Sequence, residues 1–285
     1  MLRSISNAPP QLGVAEYVWV DGNGFHSKTR VIKVFQDGQG YPVPVLDNWT
    51  THESNELATL SPAFFLPDPL RPVPSYVVLC EVRDSQDRAI STRASLRHLV
   101  KETVKGRLLS DWGFKQPFSP FSPSSIAKEM KVAESLLFAS VDAGLMLHSA
   151  HLDPHRRIWD FKIGRRGIED PKQGQDYPIL VCDHLMIARY FLSRCLDNED
   201  VDQEATQGRK GAVYVSTAET REDSQALHRA AQRIREAKPT GWMDILVRED
   251  LGCIKCRGLP SSFDPYSVVS SLLNVLVFPQ EGLRG

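Results

Sequence analysis

The chain has 285 residues, with 34 basic against 35 acidic side chains and a net charge of −1. That balance gives no electrostatic reason to bind nucleic acid or an anionic membrane surface, and no apolar run reaches the ~20 residues a membrane-spanning helix needs. The length suffices for two modest domains or one large one with a real core. Five cysteines, odd in number and irregularly spaced, predict reduced thiols and a cytoplasmic protein, and the first ten residues lack the apolar stretch of a signal peptide.

Residues 1–12 read as a disordered lead-in. Strand-like runs at 17–20, 30–35 and 76–82 alternate with turns rich in glycine and proline, which predicts a small β-rich domain over 13–104. A helix over 93–104 leads out of it, with Leu96, Leu99 and Val100 at i, i+3 and i+4. The second domain occupies 105–285. There, 117–125 reads as a Pro- and Ser-rich loop. Residues 125–143 read as an amphipathic helix capped by Ser124 or Ser125, with Met130, Val132, Leu136, Leu137 and Val141 on one face. A loop at 165–178 precedes a helix over 183–195, capped by Asp183 and striped with Leu185, Ile187, Ala188, Phe191 and Leu192. A polar loop at 198–210, a short strand at 212–216, a charged surface helix at 222–238 and a buried helix at 267–277 complete the chain. Mixed strands and helices after a β-rich start predict an α+β fold.

The chemistry-bearing residues gather at 148–164. The stretch turns at Asp153 and Pro154 and resumes as an alternating run over 158–163, so it reads as a hairpin in which Asp153 and Asp160 can face one another. Paired carboxylates on adjacent strands suit a divalent cation, because hard cations take several fixed oxygen ligands. His148, His151 and His155 lie beside Asp153, and with it would make a softer site for zinc or iron. The plainer alternative is histidines hydrogen-bonded at a polar strand end, and the neighbouring Arg156 and Arg157 argue against a cation there. Cys253 and Cys256 have the spacing of a zinc or redox half-site, but strand alternation would turn them to opposite faces.

These residues also carry a resemblance. The hairpin resembles the active-site strands of glutamine synthetases of the eukaryotic type, and other segments follow in the same order. Residues 15–22 (Ala-Glu-Tyr-Val-Trp-Val-Asp-Gly) and 27–30 resemble that family's opening strand and turn. Residues 68–72 and 77–82 resemble the end of its small N-terminal domain, and 183–190 (Asp-His-Leu-Met-Ile-Ala-Arg-Tyr) and 264–268 resemble later segments. The resemblance implies an N-terminal β-grasp domain followed by a curved antiparallel sheet backed by helices. It further implies ATP-dependent amidation of glutamate at a site of two or three divalent cations, in rings whose active sites lie between subunits.

The chain departs from that pattern at the positions that matter. Where the family has two glutamates flanking a glutamine, this chain has Lys115 and Pro117 around Gln116. An ammonium puts positive charge where a cation belongs, and proline offers no ligand. The next two ligands become Asp153 and Asp160, one methylene shorter, while the family's histidine and asparagine align with Ala212 and Tyr214. The flap over the glutamate site is missing between Lys238 and Val247. An Asn-Arg pair is replaced by Glu249 and Asp250, an arginine by Lys255, and the last arginine segment is reduced to Arg257. Asp47 or Asn48 stands near the ammonium-binding aspartate.

The resemblance and its departures therefore predict a shortened, degenerate glutamine synthetase homologue that does not make glutamine: a pseudoenzyme with a binding or regulatory role. The alternative is a repurposed, ATP-independent enzyme of a specialised biosynthetic pathway that uses the old cleft. Lys115, His151, Asp153 and Asp160 are its candidate catalytic residues, with Lys255 and Arg257 for substrate and Asp153, Asp160 and His151 for any metal. Lys115 is expected either to act as a general acid or base or to pair with Asp153 or Asp160 in place of a metal. No cofactor is expected beyond a divalent metal, if any. The expected partners are an unidentified small molecule and further copies of the chain or an active relative.

Overall fold

The computed structural model describes residues 9–21, 24–37, 41–53, 56–72, 74–103, 110–118, 126–153, 158–164, 177–195, 210–217, 220, 223–237, 244–260 and 262–277. The chain divides into two compact units, Met1–Ala94 with Val141–Gly144, and Ser95–Ser140 with Leu145–Gly285. Each unit is built on a six-stranded sheet, and the architecture is α+β.

In the first unit the strands are β1 (Gln11–Asp21), β2 (Gly24–Gln36), β3 (Pro42–Pro44), β4 (Trp49–Glu53), β5 (Glu56–Pro67) and β6 (Ser75–Arg83). Their order is β3-β2-β1-β6-β5-β4, with β1 and β6 parallel and the other neighbours antiparallel. The expected lead-in ends earlier than predicted, since β1 starts at Gln11. Pairing of Gln11 with Val34 and Leu12 with Lys33 of β2 recruits these residues despite their weak alternation. Ala15, Tyr17, Trp19, Ile32, Val34, Leu60, Tyr76 and Val78 form one buried cluster from alternate positions of the strands. The opposite face buries carboxylates with their cations: Glu16 accepts from Arg71 at 2.6 Å and Glu81 from Arg93 at 2.8 Å.

The second unit contains helix α1 (Thr92–Thr103, its first turn lying in the first unit), β7 (Ser110–Phe118), α2 (Ile126–Asp142), β8 (Leu147–Asp153), β9 (Ile158–Gly164), α3 (Tyr177–Cys195), β10 (Lys210–Thr217), α4 (Ser224–Ala237), β11 (Asp244–Arg248), β12 (Cys253–Pro260) and α5 (Pro265–Val277). The sheet order is β11-β12-β10-β7-β9-β8 and every pair is antiparallel. Helix α3 lies on β7 and β9, α4 on β11 and β12, and α5 touches both helices. Apolar residues at alternate strand positions, among them Trp112, Phe114, Phe161, Ile163, Val213, Val215, Ile254 and Cys256, are buried. The register places them all on one face.

Three expectations need correcting. Helix α3 begins at Tyr177, six residues before the predicted start, with Pro178 in its first turn, where the missing N–H costs nothing. Asp183 is therefore not a cap; it lies inside the helix, buried, and accepts the Tyr266 hydroxyl of α5 at 2.7 Å. Among the described side chains of α2, Ala133, Leu136, Ala139 and Ser140 are buried; Leu136 of the predicted face is among them, while Met130 and Val141 of that face are exposed, as is Phe138. Residues 117 and 118, read as loop, belong to β7 because they pair with Asp160 and Trp159.

Arg189 of α3 ties these layers together. Its Nε and Nη2 both donate to Gln116 Oε1 of β7, at 2.8 and 2.6 Å, and Nη1 donates to the Phe263 carbonyl at 2.7 Å. Its guanidinium also lies 4.5 Å from the centre of the Phe263 ring. Gly164 ends β9 at a φ of 88°, and a Cβ there would fall 2.5 Å from the Trp112 carbonyl oxygen. Among the described residues no helix is long and apolar enough to cross a membrane.

Two outcomes are expected. Gln116→Leu takes away the shared acceptor of a charged donor and should cost about 2–4 kcal/mol in urea unfolding. His184 is buried, its Nδ1 accepts the Met146 N–H at 3.1 Å, and burial pushes its pKa down to about 4. Because the folded value is depressed, its contribution is complete above about pH 6.5 and is lost as pH falls from there towards about 4. Between pH 7.5 and 5 the protein should lose about 2 kcal/mol of stability that a His184→Asn variant does not lose.

Candidate functional site

The face of the second sheet turned away from its helices carries the polar residues. Residues directly opposite in an antiparallel pair share a face. The register therefore sets one continuous row across all six strands: Asp244, Arg257, Ala212, Lys115, Lys162 and Ser149. A second row holds Leu246, Lys255, Tyr214, Gly113 and Gly164, and a third holds Pro117, Asp160 and His151.

Lys115 Nζ lies 2.8 Å from Asp160 Oδ2, reaching diagonally from β7 to β9. Asp160 is buried, while about a third of the lysine side chain stays exposed. Of the two expected roles for Lys115, the geometry provides the ion pair, and the partner is Asp160. Asp160 does not face Asp153; it stands opposite His151, and Asp153 stands opposite Ile158. The length of the 154–157 connection sets this register, which composition does not reveal. The Asp153 side chain and all of His155 lie outside the described residues. His148 sits where the β8–β9 register slips, and His151 is exposed.

At the other end of the row, Arg257 Nη2 pairs with Asp244 Oδ2, both half exposed. Lys255 Nζ lies 5.1 Å from the centre of the Tyr214 ring. Gly258 follows Arg257 at a φ of 100°, where β12 and β10 slip by one residue. That bulge turns β12 beside the row. Between these cations lies a hollow of about 410 Å³, lined by Lys115, Lys210, Ala212, Asp244, Lys255 and Arg257, with glycines 211 and 258. The structure thus brings Lys115, Lys255 and Arg257 together. It adds Lys210, Lys162 and Asp244, which the sequence did not single out. For Lys162 a signal existed, since alternation over 158–163 gives it the face of Asp160.

The Asp160 carboxylate is paired with the Lys115 ammonium, and among the described residues no three His, Cys, Asp or Glu side chains come together. Cys253 and Cys256 lie on opposite faces of β12, as expected, and burial pushes the Cys256 thiol up to about 12. All five cysteines are free thiols. In the first unit, Asp47 and Asn48 are exposed, and the Asp47 carbonyl accepts the Tyr17 hydroxyl at 2.9 Å. Lys115→Met leaves Asp160 buried without its cation and should cost about 1–2 kcal/mol, whereas Lys115→Met with Asp160→Asn should recover part of that loss in a double-mutant cycle.

No family model matches the chain. It is similar to the glutamine synthetase of Streptomyces viridochromogenes, with 28% identity over 265 residues that cover 79% of this chain and 74% of that protein. Against the chloroplastic glutamine synthetase of Chlamydomonas reinhardtii the identity is 25%, over 63% of this chain and 56% of the algal one. The glutamine synthetase of Gallus gallus aligns at 24% identity over 94% of this chain and 91% of its own length. That alignment runs 352 positions against 285 residues, so at least 67 positions (352 less 285) are internal gaps on this side. Relatives of a single name, aligned along much or most of the chain at 24–28% identity, support a relationship to the glutamine synthetase family.

Proposed function

We propose that this chain does not make glutamine and uses the polar face of its second sheet as a metal-independent ligand-binding cleft, a pseudoenzyme with a binding or regulatory role. The observation that carries the reading is the Lys115–Asp160 ion pair at 2.8 Å. In the resemblance described above, Lys115 stands where a glutamate would ligate a cation. Its ammonium neutralises the Asp160 carboxylate that a metal would otherwise need. The open, charged hollow beside this pair speaks for ligand binding over a purely structural role. Assembly with further copies, or with an active relative, belongs to the same proposal.

A second reading has an observation of its own. A part-exposed ammonium touching a buried carboxylate is a ready pair for proton transfer, which suits a repurposed, ATP-independent enzyme with Lys115, His151, Asp153 and Asp160 as candidate catalytic residues. Lys255 and Arg257 would then orient the substrate.

Purified protein supplied with ATP, glutamate, ammonium and Mg²⁺ or Mn²⁺ should form no glutamine above a no-protein control. Its melting temperature should be the same with these metals as with EDTA. Glutamine formation, or a metal-dependent rise in melting temperature that Asp160→Ala abolishes, would overturn the reading. Turnover of a bound metabolite that Lys115→Met removes while binding persists would establish the second.

A further inference from the structure

We infer that the hollow bounded by Lys115, Lys210, Lys255 and Arg257 is a binding site for a small polyanion bearing two or more carboxylate or phosphate groups, held directly by side-chain cations. The inference rests on the metal-independent reading above and names the ligand class of that cleft.

Charge is the first argument. The chain as a whole is near neutral, yet the residues around this hollow include four cations and one carboxylate. Lys115 and Arg257 each have a carboxylate partner, Asp160 and Asp244. Lys210 and Lys255 have none among the described residues. Uncompensated ammoniums converging on one concave site leave a positive potential that a bound anion relieves.

Shape is the second. In the row across the sheet, Arg257 and Lys115 flank Ala212 on the two neighbouring strands. Neighbouring strands lie about 4.8 Å apart, so these two cations spring from backbone positions about 10 Å apart with a methyl group between them. A larger residue at 212 would fill the hollow; alanine leaves a floor. Cations on both sides of a small-residue floor suit a ligand with anionic groups at both ends better than a single-charged ion. A volume of about 410 Å³ suits a small metabolite.

The Arg257–Asp244 pair adds a prediction of opposite sign. Asp244 competes with the ligand for Arg257, and both side chains are half exposed, so the pair opens at little cost. Removing the competing carboxylate should therefore strengthen binding, although it takes away an interaction in the free protein.

Isothermal titration in EDTA and low salt, with citrate in one arm and pyrophosphate in the other, tests the site. At least one probe should bind. Lys255→Gln and Arg257→Gln should each weaken it about tenfold, Asp244→Asn should tighten it, and affinity should fall as ionic strength rises. Binding of citrate alone identifies polycarboxylates, and binding of pyrophosphate alone identifies phosphate compounds; either supports the inference. Failure of both probes in EDTA, or binding indifferent to Lys255→Gln and Asp244→Asn, would overturn it. That result combined with absent glutamine formation would overturn the ligand class alone. Binding that appears only when Mg²⁺ is restored would overturn the metal-independent reading as well.

Discussion

The second unit depends on the three hydrogen bonds that Arg189 makes to Gln116 and to the Phe263 carbonyl. A guanidinium beneath a sheet needs acceptors, and Gln116 supplies one oxygen to two of its N–H groups while its own amide donates to the Pro117 carbonyl at 3.0 Å. This fixes which way β7 faces. With Gln116 held on the helix side, strand geometry sends Lys115 and Pro117 to the opposite side. The position of Lys115 on the polar face is thus settled from below, by a contact with helix α3 that never touches that face.

On that face the physics is a matter of how one buried carboxylate is neutralised. Burying a carboxylate is costly unless a cation accompanies it, and either a metal ion or an ammonium can serve. Here Lys115 reaches it at 2.8 Å. An ammonium on a four-carbon stem is a weaker organiser than a divalent ion, since it imposes no coordination geometry. It also leaves the surrounding cations, Lys210 and Lys255 among them, without a carboxylate cage to oppose them.

Much of the architecture was legible from local pattern. The helices over 93–104 and 222–238, the strands at 30–35 and 76–82 and the hairpin at 148–164 announced themselves by periodicity and turn residues, and the ordered segments pointed to the glutamine synthetases. Asp183 carries the signature of a helix cap, but tertiary contact with Tyr266 draws it inside a longer helix. Met130 and Val141 look like core residues of α2, but they are exposed, while Ala133, Leu136 and Ala139 are buried. For Asp183 a contact from a distant part of the chain accompanies the loss of a local capping preference of about 1 kcal/mol.

The candidate site divides the same way. Sequence alone determined which chemical groups are present: a lysine beside Gln116, aspartates in the hairpin, Lys255 and Arg257 near the end, and the opposite-facing cysteines of β12, all of which follow from residue identity and a period of two. Only the tertiary structure decided which of them meet. Strand register, set by turn lengths and a bulge at Gly258, put Asp160 opposite His151, and placed Arg257, Ala212 and Lys115 in one row with Lys210 beside the hollow. Residues 115, 160, 212 and 257 are far apart along the chain, and no local rule relates them. Their proximity arises from pairing between strands, which is a property of the whole sheet.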